Sequence, residues 1–188
     1  MMHYDQGGNN ALSSAFYSQL QSGGVPFDVI GLSYYPFFHG PMSAMRANVD
    51  ALATQFHKPI MISETQYPWT LANGNSTIGD STGDFVWQTS QLSPGYPATP
   101  GGQLSFVTDE LSILAQVPDG LGAGLFYWAP DWIPGVGWEP GANVGSPNVN
   151  LTLFNFGGQA LPSIGIFGNP AEICEKANPG ITPCVVGG

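Results

Sequence analysis

The chain has 188 residues, 43% of them hydrophobic and 12% aromatic, enough apolar material for one sizeable core and too much for a disordered polypeptide. Three basic residues, Arg46, Lys58 and Lys176, face thirteen acidic ones for a formal charge of −10, so a phosphate-tracking surface is nearly excluded and neither nucleic acid nor anionic lipid is an expected partner. No run of about 18 apolar residues occurs, so no membrane span is expected.

The first predicted unit is a strand at Met1 to Asp5 followed by a helix over Ala11 to Gln21. Its apolar positions Leu12, Phe16 and Leu20 share one face, and Gly23-Gly24 ends it. A second strand over Phe27 to Tyr35 leads to a helix over Met42 to Phe56, with Met45, Val49, Leu52 and Phe56 aligned. The third strand ends Ile60-Met61-Ile62-Ser63-Glu64-Thr65, and its apolar start reads as covered on both faces. A long loop, Gln66 to Gly101, precedes a helix near Gln103 to Ala115 bearing Phe106, Val107, Leu111 and Leu114. Gly122 to Trp128 is the fourth strand, and Asn155 to Ile164 leads into a last short helix.

Strands alternating with helices argue for a parallel α/β architecture. Four strands do not close a (β/α)8 barrel, which needs eight and about 250 residues, so the fold class is a partial TIM barrel of about four β/α units. Both long loops follow strands, which assigns them to the end of such a barrel where reactive groups gather. Glu64 sits at that end of a buried strand and is the first catalytic candidate; a strand-end glutamate reaching water is the plain alternative. Few charges with many Gly, Pro, Asn, Trp and Tyr suit a neutral polar ligand such as a sugar.

Cys174 and Cys184 lie in a tail, 169–188, that a disulfide between them would staple; two unlinked buried thiols are the alternative. Asn75-Ser76-Thr77 and Asn150-Leu151-Thr152 match the N-glycosylation pattern in segments read as loops. Together these features suggest a secreted parent, although the first residues have neither a charged start nor an apolar signal stretch.

The segments Phe27 to Gly40, Ser63-Glu64-Thr65, Gly124-Leu125-Phe126-Tyr127-Trp128 and Gly158-Gln159-Ala160-Leu161-Pro162-Ser163, taken in order, resemble the second half of the endo-β-1,4-galactanases. These form glycoside hydrolase family 53 of clan A. The resemblance covers roughly Met1 to Phe167, so 1–168 is expected to be the C-terminal half of a barrel and the Cys-containing tail to lie beyond it. It implies a retaining glycosidase acting on galactan or arabinogalactan, a pectin component, with glutamates at the ends of the fourth and seventh strands. Glu64 matches the seventh-strand nucleophile. The family acid/base is the Glu of an Asn-Glu pair, and this chain contains no Asn-Glu dipeptide. Very low isolated activity is therefore expected, together with exposed strand edges and apolar surfaces that invite self-association.

Supporting roles transfer position by position. Tyr34 and Tyr35 end the strand before that of Glu64, where the clan has a tyrosine bonded to the nucleophile. Alternation places Ser33 and Tyr35 on one face and Tyr34 on the other, which favours Tyr35. Trp128 resembles the tryptophan under the sugar at the cleavage point, and His3 and Asp5 resemble a substrate-contacting His-x-Asp segment. Trp69 and Trp132 are further candidate sugar platforms; His39 and Trp138 lie in similar loops, and aromatic packing is the alternative for all of them.

The chain also departs from the family pattern. Trp128-Ala129-Pro130-Asp131-Trp132 stands where Trp-Glu-Pro-Ala-Trp is frequent, and Phe38 where Trp is common. Some relatives bind calcium after the seventh strand, but Leu71 to Ser76 lacks closely spaced carboxylates, so no cofactor is expected, with Asp80 and Asp84 the only local candidates for calcium. His3, His39 and His57 lack zinc-site spacing, so no metal is assigned. A non-catalytic galactan-binding protein and a clan A glycosidase of other specificity are the alternatives.

Overall fold

A computed structural model describes residues 1–74, 84–134 and 146–168. Four strands, β1 (Met2–Tyr4), β2 (Ile30–Tyr34), β3 (Ile60–Thr65) and β4 (Gly122–Tyr127), form one parallel sheet in chain order. Helices α1 (Asn10–Ser22), α2 (Pro36–His39), α3 (Met42–Phe56) and α4 (Pro100–Ala115) alternate with them, giving the expected partial barrel. Short 3-10 turns occupy Thr89–Gln91, Pro118–Gly120 and Pro162–Gly168, the last where a short helix was expected. The described chain divides into two units. One holds Met1–Thr65 with Thr108–Tyr127, and the other holds the described residues of Gln66–Val107 and Trp128–Asn169.

In the first unit every residue of β2 is buried, and Ile60, Ile62 and Thr65 of β3 are buried on the helix side. Met45, Val49, Leu52 and Phe56 of α3 cover them as their spacing predicts. α1 differs from its expectation. Its buried positions are Ser13 and Tyr17, while Leu12 is exposed. Hydrogen bonding decides this: the Tyr17 hydroxyl reaches the carbonyls of Met2 at 2.9 Å and Gly31 at 2.7 Å, and Ser13 Oγ reaches the Gln6 carbonyl at 2.8 Å. Burial then pushes the Tyr17 phenol well above the ordinary tyrosine range, so it stays a donor. Among the described residues β1 and β4 are the sheet edges, and Met1 and Phe126 beside them are each 58% exposed.

In the second unit the segments that follow β3 and β4 are tied together by buried polar groups. Tyr67 stacks on Phe106 at 4.2 Å and its hydroxyl donates to the Tyr96 carbonyl at 2.6 Å; burial pushes its pKa up to about 12. Gln103 donates to the carbonyls of Tyr67 and Thr152, both at 2.9 Å, and accepts from Ser163. Asn150 is fully buried, its amide donating to the carbonyls of Thr70 at 3.2 Å and Val86 at 2.6 Å. The glycosylation triplet does lie in a loop, as expected, but its asparagine is buried there: the amide that would carry a glycan joins two loop backbones. Secretion of the chain from a glycosylating host should leave Asn150 unmodified, as glycopeptide mass spectrometry would show. Asn75, Asp80, Trp138, Cys174 and Cys184 lie outside the described residues.

Candidate active site

The end of β3 carries an irregularity that sets the site. Leu32 pairs with Ile62 but Ser33 pairs with Glu64, and on the other side Ile62 pairs with Leu125 but Thr65 with Tyr127. β3 thus holds one extra residue against both neighbours, a bulge at Ser63-Glu64. It allows Ser63 and Glu64 to share one face. Gly31 makes room for this, since a Cβ there would run into Ser63 Oγ and the Met1 side chain.

Glu64 meets the residues of β2 that alternation puts on the same face. Its Oε2 accepts from the Tyr35 hydroxyl at 2.9 Å and from Ser33 Oγ at 3.1 Å. Ser33 Oγ lies 2.7 Å from His3 Nε2, and because the serine proton goes to Glu64, the histidine takes the Nε2–H tautomer and donates to Ser33. His3 Nδ1 is 4.0 Å from Glu64 Oε1. The Glu64 side chain keeps 27% of its surface exposed, so it is held in place and still reachable. Burial first, then the Glu64 charge and its hydrogen bond, push the Tyr35 phenol far above its usual range. It remains protonated and can donate.

Tyr35 is itself fixed from behind. Its backbone N–H donates to His39 Nδ1 at 3.0 Å, and His39 Nε2 lies 3.1 Å from Asp5 Oδ1. The proton is therefore on Nε2; burial lowers the His39 pKa, with the Asp5 carboxylate opposing that shift. Pro36 at the first turn of α2 suits the bend that brings His39 back. The loop bearing Asp5 is held by Asn48, fully buried on α3, which donates to the carbonyls of Gly7 at 2.9 Å and Gln6 at 3.2 Å. Asp5, Gln6, Gly8, Asn9, Phe38 and His39 line a cleft of about 370 Å³. It is mostly polar, with the exposed Phe38 ring on one wall.

The structure brings together Glu64, Tyr35 and His3, with Asp5 linked to them through His39. Tyr34 is elsewhere: it is fully buried and its hydroxyl donates to the Gly40 carbonyl at 2.9 Å, because the strand's alternation turns it to the opposite face. Trp69, Trp128 and Trp132 belong to the second unit. Trp69 packs edge-on against Phe156 at 4.8 Å, and Trp128, 41% exposed, against Trp132 at 5.9 Å. Gln66 Nε2 donates to the Trp128 carbonyl at 2.8 Å, and Ala129 turns the chain with a left-handed φ of 46°. In the departing segment Ala129 is buried and Asp131 exposed. Ser33 and His39 were not singled out from sequence as parts of the Glu64 network, although Ser33 was legible on the Tyr35 face. Among the described residues no group of three His, Cys, Asp or Glu could hold a metal ion, and no helix is long and apolar enough to cross a membrane.

Comparison with known proteins gives one consistent result. The sequence profile of Glycosyl hydrolase family 53 matches residues 1–167. A Niallia circulans relative, "Uncharacterized protein in bgaB 5'region", is 47% identical over 167 residues, which is 87% of this chain and 43% of that one. The Thermothelomyces thermophilus arabinogalactan endo-beta-1,4-galactanase is 30% identical over 173 residues, 89% of this chain and 46% of the relative. The solved Ignisphaera aggregans GH53 catalytic domain superposes with a TM-score of 0.78 at 34% identity, covering 88% of this chain and 44% of that domain. The chain thus spans a little under half the length of each of these relatives. With a four-stranded parallel sheet and a glutamate held at the end of its third strand, the chain belongs to glycosyl hydrolase family 53.

Proposed function

We propose that this chain carries the nucleophile half of a retaining endo-β-1,4-galactanase acting on galactan or arabinogalactan. The observation that supports this most is the pair of hydroxyl donors on Glu64 Oε2, which fixes the carboxylate while Oε1 accepts neither of them. In this reading a Glu64 oxygen attacks the anomeric carbon and the glycosidic C–O bond breaks. Its electron pair leaves on the departing sugar oxygen, which takes a proton from a second carboxylic acid. That group later removes a proton from the water that hydrolyses the glycosyl ester. The proposal assigns the second carboxyl to an Asn-Glu pair outside this sequence, so the isolated chain should bind sugar and lack efficient turnover. Trp128 is proposed as a platform for the sugar, and the Asp5 cleft as a place where sugar hydroxyls find polar partners. An extracellular site of action suits a polymer too large to cross a membrane.

A substrate whose leaving group needs no acid isolates the nucleophile. A dinitrophenyl β-galactobioside fluorinated beside the anomeric carbon should release dinitrophenolate and leave its glycosyl group on Glu64, read by peptide mass spectrometry. Labelling elsewhere, or none, rejects the assignment. Tyr35→Phe removes a hydrogen bond to a charged group, about 1.5–3 kcal/mol or roughly 10- to 150-fold, and should slow labelling by that factor while changing reagent affinity little.

A further inference from the structure

Thr65 is where β3 regains its register after the bulge, pairing with Tyr34 of β2 and Tyr127 of β4. Its side chain faces away from the Glu64 network and donates to Glu110 Oε2 of α4 at 2.9 Å. Glu110 has no exposed surface, and its Oε1 has no hydrogen-bond partner among the described residues. Among the described residues no cation is recorded against it: Lys58 lies over the Phe27 ring and Arg46 bonds Gln116. The position belongs to the helix stripe of Phe106, Val107 and Leu114, all buried, where an apolar side chain would serve packing better than a carboxyl group. A strand bulge, by contrast, has a neighbouring register into which it can slip, and a single hydrogen bond just beyond it resists that slip.

We propose that Glu110 is a positioning residue for Glu64, holding the Thr65 hydroxyl and thereby the end of β3 on which the Glu64 carboxylate is aimed. The inference rests on Glu64 being the nucleophile. Burial pushes the Glu110 carboxyl up to about 8, with the Thr65 bond as the opposing influence, so it is a neutral acid at neutral pH. From β3 the polar group facing it is Thr65, with Glu64 on the far side of the strand; the strand neighbours of Thr65 are Tyr34 and Tyr127, and on α4 the adjacent ionisable residue is Asp109. Ionisation would place an unpaired charge in the core and loosen α4 from β3 just beside Glu64.

Two readouts on the whole chain test this. The first is the pH dependence of Glu64 labelling by the fluorinated dinitrophenyl galactobioside, whose rate needs no acid catalyst. The wild type should lose labelling rate through about pH 8, and Glu110→Gln, a neutral hydrogen-bonding isostere, should keep the rate above that pH. Glu110→Leu should slow labelling at all pH values by about 10- to 100-fold with unchanged reagent affinity, the size expected of a small misplacement. The second readout needs no reaction: the NMR amide signals of Glu64 and Thr65 should titrate near pH 8 in the wild type and not in Glu110→Gln. Amides that ignore the titration, or an alkaline limb that persists in Glu110→Gln, overturn the inference. Absence of any Glu64 label in the wild type overturns the nucleophile reading instead, and the amide titration still decides whether Glu110 controls the strand.

Discussion

If Glu64 is the nucleophile we propose, Glu64→Gln should abolish covalent labelling and, in a barrel completed by an upstream half bearing an Asn-Glu pair, should lower galactan cleavage by on the order of 10⁴- to 10⁶-fold. Glutamine keeps an oxygen that accepts from Tyr35 and Ser33, so the network on that face retains both bonds and the fold is unaffected. What disappears is the negative oxygen able to form an ester with the anomeric carbon. Initial rates of reducing-end release, with the melting temperature as a control for folding, check this. A glutamine variant that cleaves at the wild-type rate would leave Glu64 with no more than a structural role.

The second large effect concerns stability and pH. Glu110 is neutral when folded up to about pH 8, whereas the unfolded chain ionises it near the ordinary carboxyl value of 4.5. Between these values the native state holds the proton that the unfolded state has lost, so stability falls as pH rises, by about 1.4 kcal/mol per pH unit near the middle of the window. Below pH 4.5 both states are protonated and the penalty is absent; above about 8 it levels off. Glu110→Gln removes the titration. The difference in Tm between the variant and the wild type should widen by about 3–6 °C per pH unit inside the window and stay constant outside it. A difference that does not vary with pH would mean that Glu110 ionises alike in both states.

Much of the fold was legible because burial imposes periodicity. The α3 stripe points to partners that tertiary structure did not override, whereas the start of β3, expected to be covered on both faces, buries Ile60 and Ile62 and leaves Met61 half-buried on the other face. The alternation along Ser33-Tyr34-Tyr35 also separated the two tyrosines correctly, since the bulge lies in β3 and leaves β2 regular. Legibility stopped where one hydrogen bond outweighs an apolar contact. Leu12, Phe16 and Leu20 have helical spacing, yet Tyr17 wins the buried face of α1 because its hydroxyl satisfies two strand carbonyls. Asn150 sits in a glycosylation pattern, and nothing local says that its amide joins two loops far apart in sequence. Glu110 left a signal that was readable, a carboxyl inside the stripe Phe106, Val107 and Leu114, but only Thr65 gives it a purpose. His39 gave none, since its contact with the Tyr35 backbone depends on the bend of α2.

The loop after β1 has a practical consequence for engineering. A side chain at Gly7 would overlap the Ser33 carbonyl, and one at Gly8 the His39 carbonyl, so neither glycine tolerates replacement without moving the backbone that carries Tyr35. Asn9 caps α1 by accepting from the Leu12 amide. Directed libraries that seek a new sugar preference should therefore leave Asp5, which holds His39 behind Tyr35, and the chain at 7–9 untouched and vary the side chains of Gln6 and Phe38 on the cleft wall.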